Sequence, residues 1–249
     1  MPRRLSLVNR MAQRFGPAVT AIILSNAAVF LVSFFGVHVT RSDAFVAFYR
    51  DWLALSLDNV LGGRIWTVFT YGWLHDVDTA MHIVLNMVVV WFLAPPLERR
   101  MGSRRFFRFW CFTVLGGGLL CFVVGLFGTD QAITVGASAG AVALVGAWSW
   151  LYPERKLLLM FVVPVKARWL VYGVVAVDVL AGIVGSEVAV WAHLGGLAAA
   201  WLMLHGWASP EKLWLRWRRW RLGRDHAHRA HLKVLKGGKS DDDDEPMIH

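Results

Sequence analysis

The chain has 249 residues, 57% of them hydrophobic, and a net charge of +9 at neutral pH. Soluble domains are roughly half apolar and the mean hydropathy here is +0.49, so the composition excludes an ordinary soluble protein and indicates a membrane protein. The 14 tryptophans fit this class because Trp gathers at the level of lipid headgroups. The positive charges lie beside apolar segments rather than on a polar module, which disfavours nucleic-acid binding.

Six apolar segments of 15 to 22 residues follow one another along the chain, and a membrane span takes about 20 apolar residues. We predict transmembrane helices over residues 17–35, 81–95, 106–127, 133–150, 169–185 and 188–206. Four arginines precede the first segment, as in a signal peptide, but its apolar run continues past Ser25-Asn26-Ala27, so we expect a retained anchor. The second is predicted to end at Pro95-Pro96, because proline interrupts helices. The predicted fold is an all-α, polytopic six-helix bundle.

The segments outside the predicted spans differ in composition. Residues 1–16 are basic, and residues 39–80 mix charged and aromatic side chains, which predicts an interfacial first loop of short helices. Residues 207–224 interleave Trp with Arg and predict a juxtamembrane anchor on anionic lipid. Residues 225–249 are polar and predict a disordered tail. One transmembrane domain is therefore expected over residues 17–206.

The distribution of Lys and Arg predicts the orientation of the helices. Of the 26 positive residues, 23 fall on one side of the predicted bundle and only Arg41, Arg50 and Arg64 on the other. Positive residues accumulate at the cytoplasmic face, so we expect both termini to be cytoplasmic. The second, fourth and sixth helices then run inward from the outer face.

Each of these three helices carries polar residues near its start: His82 and Asn86, Ser138, and His193. Ser138 is expected about one turn inside the fourth helix. At 1.5 Å per residue, Ser138 and His193 should both lie about 5 to 10 Å below the outer boundary. Polar groups inside membranes are costly and are candidates for function.

Small residues surround both Ser138 and His193, namely Gly136, Gly140, Gly195, Gly196 and Ala198 to Ala200. A plain interpretation is a helix-packing motif, since small residues let neighbouring backbones approach closely. The same close approach would bring the serine hydroxyl within hydrogen-bonding reach of the imidazole. We therefore predict Ser138 as nucleophile and His193 as general base in attack on an amide carbonyl.

An oxyanion formed in that attack needs hydrogen-bond donors. Asn86 and His82, one turn apart on the second helix, and the backbone N–H of Ser138 are the predicted donors. The plainer alternative for Asn86 is an interhelical hydrogen bond. Asp178 in the fifth helix is expected to be protonated or hydrogen-bonded inside the bundle. A role in orienting His193 is less favoured, because Asp178 should lie several ångströms deeper.

The set His82-x-x-x-Asn86, Gly136-x-Ser138 and Ala192-His193-x-x-Gly196 resembles the rhomboid intramembrane serine proteases. The similarity runs from about Arg64 to Met203 and includes Trp66 and the stretch Glu98 to Ser103. It implies the same roles for Ser138, His193, His82 and Asn86. It also implies transmembrane protein substrates cut near the outer face, contact with membrane lipid but not nucleic acid, and no metal or other cofactor. We expect a bacterial inner (plasma) membrane as the location.

Three positions differ from many members of that family. Ala139 replaces a glycine after the serine, Val142 replaces a tyrosine one turn on, and Thr67 replaces an arginine after Trp66. They motivate a second hypothesis, a catalytically inactive relative that binds transmembrane clients. A third is a small transporter that uses Asp178, which ranks last because the sequence lacks matching inverted halves with broken helices.

Overall fold

The computed structural model describes residues 7–128, 133–159, 162–184 and 190–206. Its α-helices are α1 Leu7–Phe15, α2 Pro17–Phe34, α3 Asp43–Phe48, α4 Leu57–Leu61, α5 Thr67–Thr70, α6 Ala80–Met101, α7 Ser103–Gly125, α8 Ser138–Leu151, α9 Ala167–Val184 and α10 Val190–Leu204. Between α8 and α9 lie two strands, β1 Lys156–Leu159 and β2 Val163–Lys166. Short π-helical turns cover Phe35–Val39 and Tyr49–Leu53, and a 3₁₀ turn covers Tyr71–Trp73.

The chain divides into two units at His205, and the described residues up to His205 form the first, compact unit. The predicted juxtamembrane anchor at 207–224 and the predicted tail at 225–249 both lie outside the described residues. The first unit contains all the helices described here.

Apolar helices occupy the six predicted places along the chain. In the described part of the chain, three stretches are long and apolar enough to cross a membrane, namely Pro17–Val39, Ala80–Met101 and Ser103–Gly125, while α8 and α10 are apolar but shorter. The structure thus shows a mainly helical protein with several membrane-capable helices. The count of six spans stays a prediction, as does the interfacial position of the short helices α3 to α5.

The predicted end of the second span at Pro95-Pro96 is wrong, because α6 continues to Met101. Proline costs a helix one backbone hydrogen bond, but contacts with the rest of the bundle stabilise this turn of α6. Pro95 and Leu97 are buried in the bundle, and the indole Nε1 of Trp148 on α8 donates to the Leu93 carbonyl at 2.8 Å. Tertiary packing outweighs the local preference of proline here.

Glu98, in the last turns of α6, caps the first membrane-capable helix. Its carboxylate accepts from the backbone N–H groups of Ala18 and Val19 at 3.0 and 2.8 Å. The first N–H groups of a helix lack partners within it and favour a negative charge. Gly16 precedes them with a φ of +103°, and a side chain there would collide with the Glu98 carboxylate. This contact joins α2 to α6 across 80 residues of sequence.

Glycines bring α7, α8 and α10 into backbone contact. A Cβ added at Gly195 of α10 would strike the Gly116 carbonyl of α7, and one at Gly196 would strike the Ala139 carbonyl of α8. The predicted close packing of the helices that carry Ser138 and His193 is therefore confirmed. This packing places the beginnings of α8 and α10 next to each other, and the candidate site lies there.

The hairpin of β1 and β2 was not predicted. The strands pair antiparallel with Lys156 opposite Lys166, and Pro164 opposite Leu158. Glu154 at its base accepts from Lys166 at 2.9 Å and pairs with Arg168 at 2.8 Å. Four residues per strand give too short an alternating pattern to be distinguished from a loop.

Candidate active site

Ser138 is the first residue of α8, which corrects the prediction that it lies one turn inside a helix beginning at Ile133. The preceding residues are extended because Thr134 and Leu55 pair through two backbone hydrogen bonds, of 3.1 and 2.8 Å. Gly136 follows with a φ of +126°, which favours glycine. The first described hydrogen bond of the helix runs from Ala141 N–H to the Ala137 carbonyl. The backbone N–H of Ser138 therefore lies in the first turn, where helices leave donors without internal partners.

The segment before Ser138 is held by the region that precedes α6. Gly136 N–H donates to the Tyr71 carbonyl at 3.0 Å, and Ala137 N–H points to His75 Nε2 at 3.5 Å. His75 is fully buried. Sequence analysis missed this residue, since the neighbouring Asp76 and Asp78 indicate an exposed loop. Only the aromatic run before His75 could have suggested that the loop folds back against the bundle.

His82 lies in the first turn of α6 and faces Ser138 across Gly136. A Cβ added at Gly136 would lie 2.7 Å from His82 Nε2 and 3.6 Å from Ser138 Oγ. The His82 ring also meets the edge of the His75 ring, with the centroids 5.3 Å apart. The His82 imidazole and the Ser138 hydroxyl thus both lie next to Gly136.

Asn86 follows His82 by one helical turn on α6, and 7% of its surface is exposed. Its amide nitrogen Nδ2 is buried and makes no hydrogen bond with any described residue. Buried polar groups are nearly always paired, so an unpaired donor calls for an explanation. The interhelical hydrogen bond considered as the plain alternative is not made by this nitrogen within the described ranges.

His193 lies in the first turn of α10, and its Nδ1 is 2.8 Å from Oδ1 of Asp178 on α9. The expectation that the depth of Asp178 disfavours contact with His193 is therefore wrong. That estimate counted the rise along ideal parallel helices and ignored both helix tilt and the combined reach of a carboxylate and an imidazole. Asp178 is hydrogen-bonded inside the bundle, as expected.

The helix starts that carry Ser138 and His193 meet beside α7. A Cβ at Gly117 would lie 2.7 Å from both the Ala139 Cβ and the Ala192 carbonyl, the neighbours of Ser138 and His193. The His193 imidazole is also near enough to that of His82 for electrostatic interaction. Among the described residues, no hydrogen bond joins Ser138 Oγ to His193. The structure thus brings α8 and α10 together without this hydrogen bond.

Burial and hydrogen bonding shift the pKa values of the loop that supports the site. Burial, with a smaller contribution from nearby His82, lowers the pKa of His75 to about 4. Burial also raises the pKa of Tyr49, whose hydroxyl donates to the His75 carbonyl at 2.7 Å. Burial alone would raise the pKa of Asp76, but hydrogen bonds with Asp78 and Thr79 outweigh it and lower the pKa. The loop thus keeps a neutral imidazole behind the Ser138 segment at neutral pH.

Within the described ranges, no group of three or more His, Cys, Asp or Glu side chains is arranged to bind a metal ion. Cys111 and Cys121 lie ten residues apart on α7 and are not joined to each other, as their separation of about 15 Å along a helix requires.

Fold and site together define a multi-pass integral membrane protein with serine and histidine side chains near the starts of three neighbouring helices. A profile of the Rhomboid domain matches residues 62–208, more than half of the chain. The chain therefore belongs to the rhomboid family, which confirms the resemblance noted in its sequence.

Individual relatives are more distant. The chain is 28% identical over 197 residues to RHOMBOID-like protein 12, mitochondrial, of Arabidopsis thaliana, covering 73% of this chain and 56% of that protein. It is 27% identical over 154 residues to rhomboid protease GlpG of Salmonella paratyphi A and of Salmonella typhi, covering 61% of this chain and 50% of each relative. The chain thus spans about half the length of the curated relatives it matches.

Proposed function

We propose that this chain is a serine-type intramembrane endopeptidase that cleaves transmembrane proteins near the outer membrane face. The observation that carries the proposal is the contact of Gly196 with the Ala139 carbonyl, which sets the start of α10, with His193, against the start of α8, with Ser138. Membership of a family that includes proteins named rhomboid proteases supports it.

In the proposed reaction, His193 Nε2 takes the proton of the Ser138 hydroxyl as Oγ attacks the scissile carbonyl. The proton then passes to the leaving amine as the C–N bond breaks, and water hydrolyses the acyl-enzyme by the same route. A serine hydroxyl is a weak nucleophile without such a base. Hydrogen bonds in a resting site are often long and tighten only when substrate binds, so the unmade Ser138–His193 contact is compatible with this chemistry.

We assign stabilisation of the oxyanion to Asn86, His82 and the Ser138 backbone N–H. The unpaired, buried Nδ2 of Asn86 supports this role, because a donor that waits for a transition-state charge has no partner in the resting protein. The position of Ser138 at the start of α8 adds support, since helix N-termini favour negative charge.

Hydrolysis also requires water and an accessible peptide bond. Ser138, His82 and His193 are each partly exposed rather than sealed inside the bundle, which gives water a way to reach them. A helical substrate hides its carbonyls in internal hydrogen bonds, so we expect the cut to fall beside helix-destabilising residues. We further propose cytoplasmic termini, on the distribution of Lys and Arg. Relatives of this chain in Salmonella support the proposal of a bacterial inner membrane.

Purified protein in proteoliposomes, given a single-span test substrate, tests the proposal. Ser138→Ala and His193→Ala should each lower the cleavage rate at least about a thousand-fold, because the nucleophile and its base act as a unit. Ser149→Ala is the matched control, a serine on the same helix whose hydroxyl donates to the Val145 and Ala167 carbonyls. Equal cleavage by folded Ser138→Ala and parent would refute the mechanism, and a parent that binds substrate without cutting it would support the inactive relative.

A further inference from the structure

Asp178 is the one acidic residue of α9, and its carboxylate is directed at the candidate base. Its Oδ1 lies 2.8 Å from His193 Nδ1, and the two side chains are 4% and 12% exposed. The residues on either side of it, Val177 and Val179, are exposed on α9. The carboxylate therefore points into the bundle while its neighbours point outward.

Helix packing alone explains this carboxylate poorly. A buried charge costs several kcal/mol unless it is well paired, and the second oxygen of Asp178, Oδ2, is buried with no hydrogen-bond partner among the described residues. One hydrogen bond to His193 is the interaction seen to offset that cost. Polar groups retained in apolar helices at such a cost are candidates for function.

We propose that Asp178 is a positioning residue, which fixes the hydrogen of the His193 imidazole on Nδ1 and so keeps Nε2 free to accept the Ser138 proton. This inference rests on the proposed function of the same site. In this proposal Asp178 is the acceptor in the 2.8 Å contact, which makes His193 Nδ1 the donor, since an ionised carboxylate can only accept hydrogen bonds. In a neutral imidazole, the other nitrogen then carries the lone pair that a general base requires.

The same contact stabilises the charge that His193 gains during the reaction. When the Ser138 O–H bond breaks and the proton moves to Nε2, His193 becomes an imidazolium ion close to the imidazole of His82. In the proposed reaction the Asp178 carboxylate supplies the opposite charge at Nδ1, and the proton passes only from Ser138 to His193 and then to the leaving amine. Val142, one turn after Ser138, has no polar atom that could hold the ring instead.

The first experiment reads the tautomer and needs no activity. Nitrogen NMR of ¹⁵N-histidine-labelled protein in detergent, in the Ser138→Ala background, gives the His193 signals after subtraction of the same protein with His193→Ala. We expect a protonated Nδ1 and an unprotonated Nε2 at neutral pH. A protonated Nε2 with bare Nδ1 would mean that a neutral Asp178 donates the hydrogen bond, and would overturn the proposal.

The second experiment measures kinetics in proteoliposomes. In soluble serine proteases, the aspartate-to-asparagine change lowers kcat about 10⁴-fold by favouring the wrong tautomer. We expect Asp178→Asn to lower kcat at least about 100-fold with KM within about threefold of the parent, and Asp178→Glu to recover part of the loss. A kcat within threefold of the parent would overturn the proposal.

Ser149→Ala is the control for a merely structural role. The Ser149 hydroxyl donates to the Ala167 carbonyl at 2.7 Å and so ties α8 to the start of α9 without touching His193. Its loss loosens α9 but should leave kcat within threefold of the parent. A similar fall in kcat for both variants would assign Asp178 to packing and overturn the inference. A parent with no protease activity would refute the proposed function, while the tautomer measurement would still test the inference.

Discussion

His75 shows how one buried side chain can make the stability of this protein depend on pH. Its imidazole is held neutral behind the Ser138 segment, because burial lowers its pKa to about 4, against about 6.5 for the free side chain. Between these values the unfolded chain binds a proton that the folded chain does not. Acid therefore favours the unfolded state as the pH falls through this window.

From this shift we expect the free energy of unfolding in detergent to fall by about 2 kcal/mol between pH 7 and pH 5 through His75 alone. The check is denaturant unfolding at the two pH values for the parent and for His75→Gln, which keeps an acceptor for the Ala137 N–H but cannot titrate in this range. The parent should lose more stability than the variant. Equal losses would show that His75 is protonated in the folded state at pH 5.

A second prediction for a single side chain concerns Asn86. Replacing it by Ala removes the unpaired Nδ2 donor, so kcat should fall about 100- to 1,000-fold, as for the loss of one oxyanion donor, while stability changes little. Asn26→Ala is the control, since Asn26 is a buried asparagine on α2 whose amide donates to the Ile22 carbonyl instead. Kinetics in proteoliposomes measure both. If the two variants kept equal kcat, Asn86 would have no part in the reaction.

Most of the proposed site residues could be predicted from sequence, but their arrangement could not. Ser138, His193, His82 and Asn86 are polar residues in apolar segments, and such residues are conspicuous in a membrane protein. His75 and the contact of Asp178 with His193 depend on how a loop folds back and how two helices tilt. Neither leaves a periodic pattern in the sequence.

Helix contacts at glycine control how close Ser138 and His193 come. At Gly196 a side chain would meet backbone atoms of Ala139, which cannot move aside, whereas a Cβ at Gly173 of α9 meets nothing within 4 Å. Both glycines lie inside helices, so Gly196→Ala and Gly173→Ala form a matched pair.

Gly196→Ala should destabilise the protein by about 1 to 3 kcal/mol through overpacking and abolish most cleavage by pushing α10 away from α8. Gly173→Ala should be neutral or stabilise by up to about 1 kcal/mol, because alanine has the better helix propensity. Unfolding midpoints and cleavage rates measured side by side decide the matter. Equal behaviour of the pair would mean that the Gly196–Ala139 contact does not set the site.

The presence of each long helix could be predicted from the sequence, but the residues at which the helices begin and end were harder to predict. Apolar runs indicated α2 and α6 to α10. The observed start of α8 is Ser138 rather than Ile133, because Thr134 pairs with Leu55, 79 residues away in sequence. The continuation of α6 past Pro95 likewise depends on packing against α8. Both differences arise from tertiary contacts that override local preference.

For the whole molecule, the distribution of positive charge predicts which loops face outward. Leu61 at the end of α4 and Leu158 in β1 are about equally accessible, at 63% and 61% exposed, and the predicted orientation puts them on opposite sides of the membrane. In spheroplasts and in a background without Cys111 and Cys121, a membrane-impermeant maleimide should label Leu61→Cys and not Leu158→Cys. Labelling of Leu158→Cys alone would reverse the orientation.

The proposed protease activity depends on whether His193 activates Ser138, and a fluorophosphonate probe reports this directly. Mass spectrometry of the labelled protein should locate the adduct on Ser138 and not on Ser149. The adduct should form at least about 100-fold more slowly in His193→Ala, because the serine then lacks its base. An adduct on Ser149, or equal labelling of Ser138 with and without His193, would contradict the account.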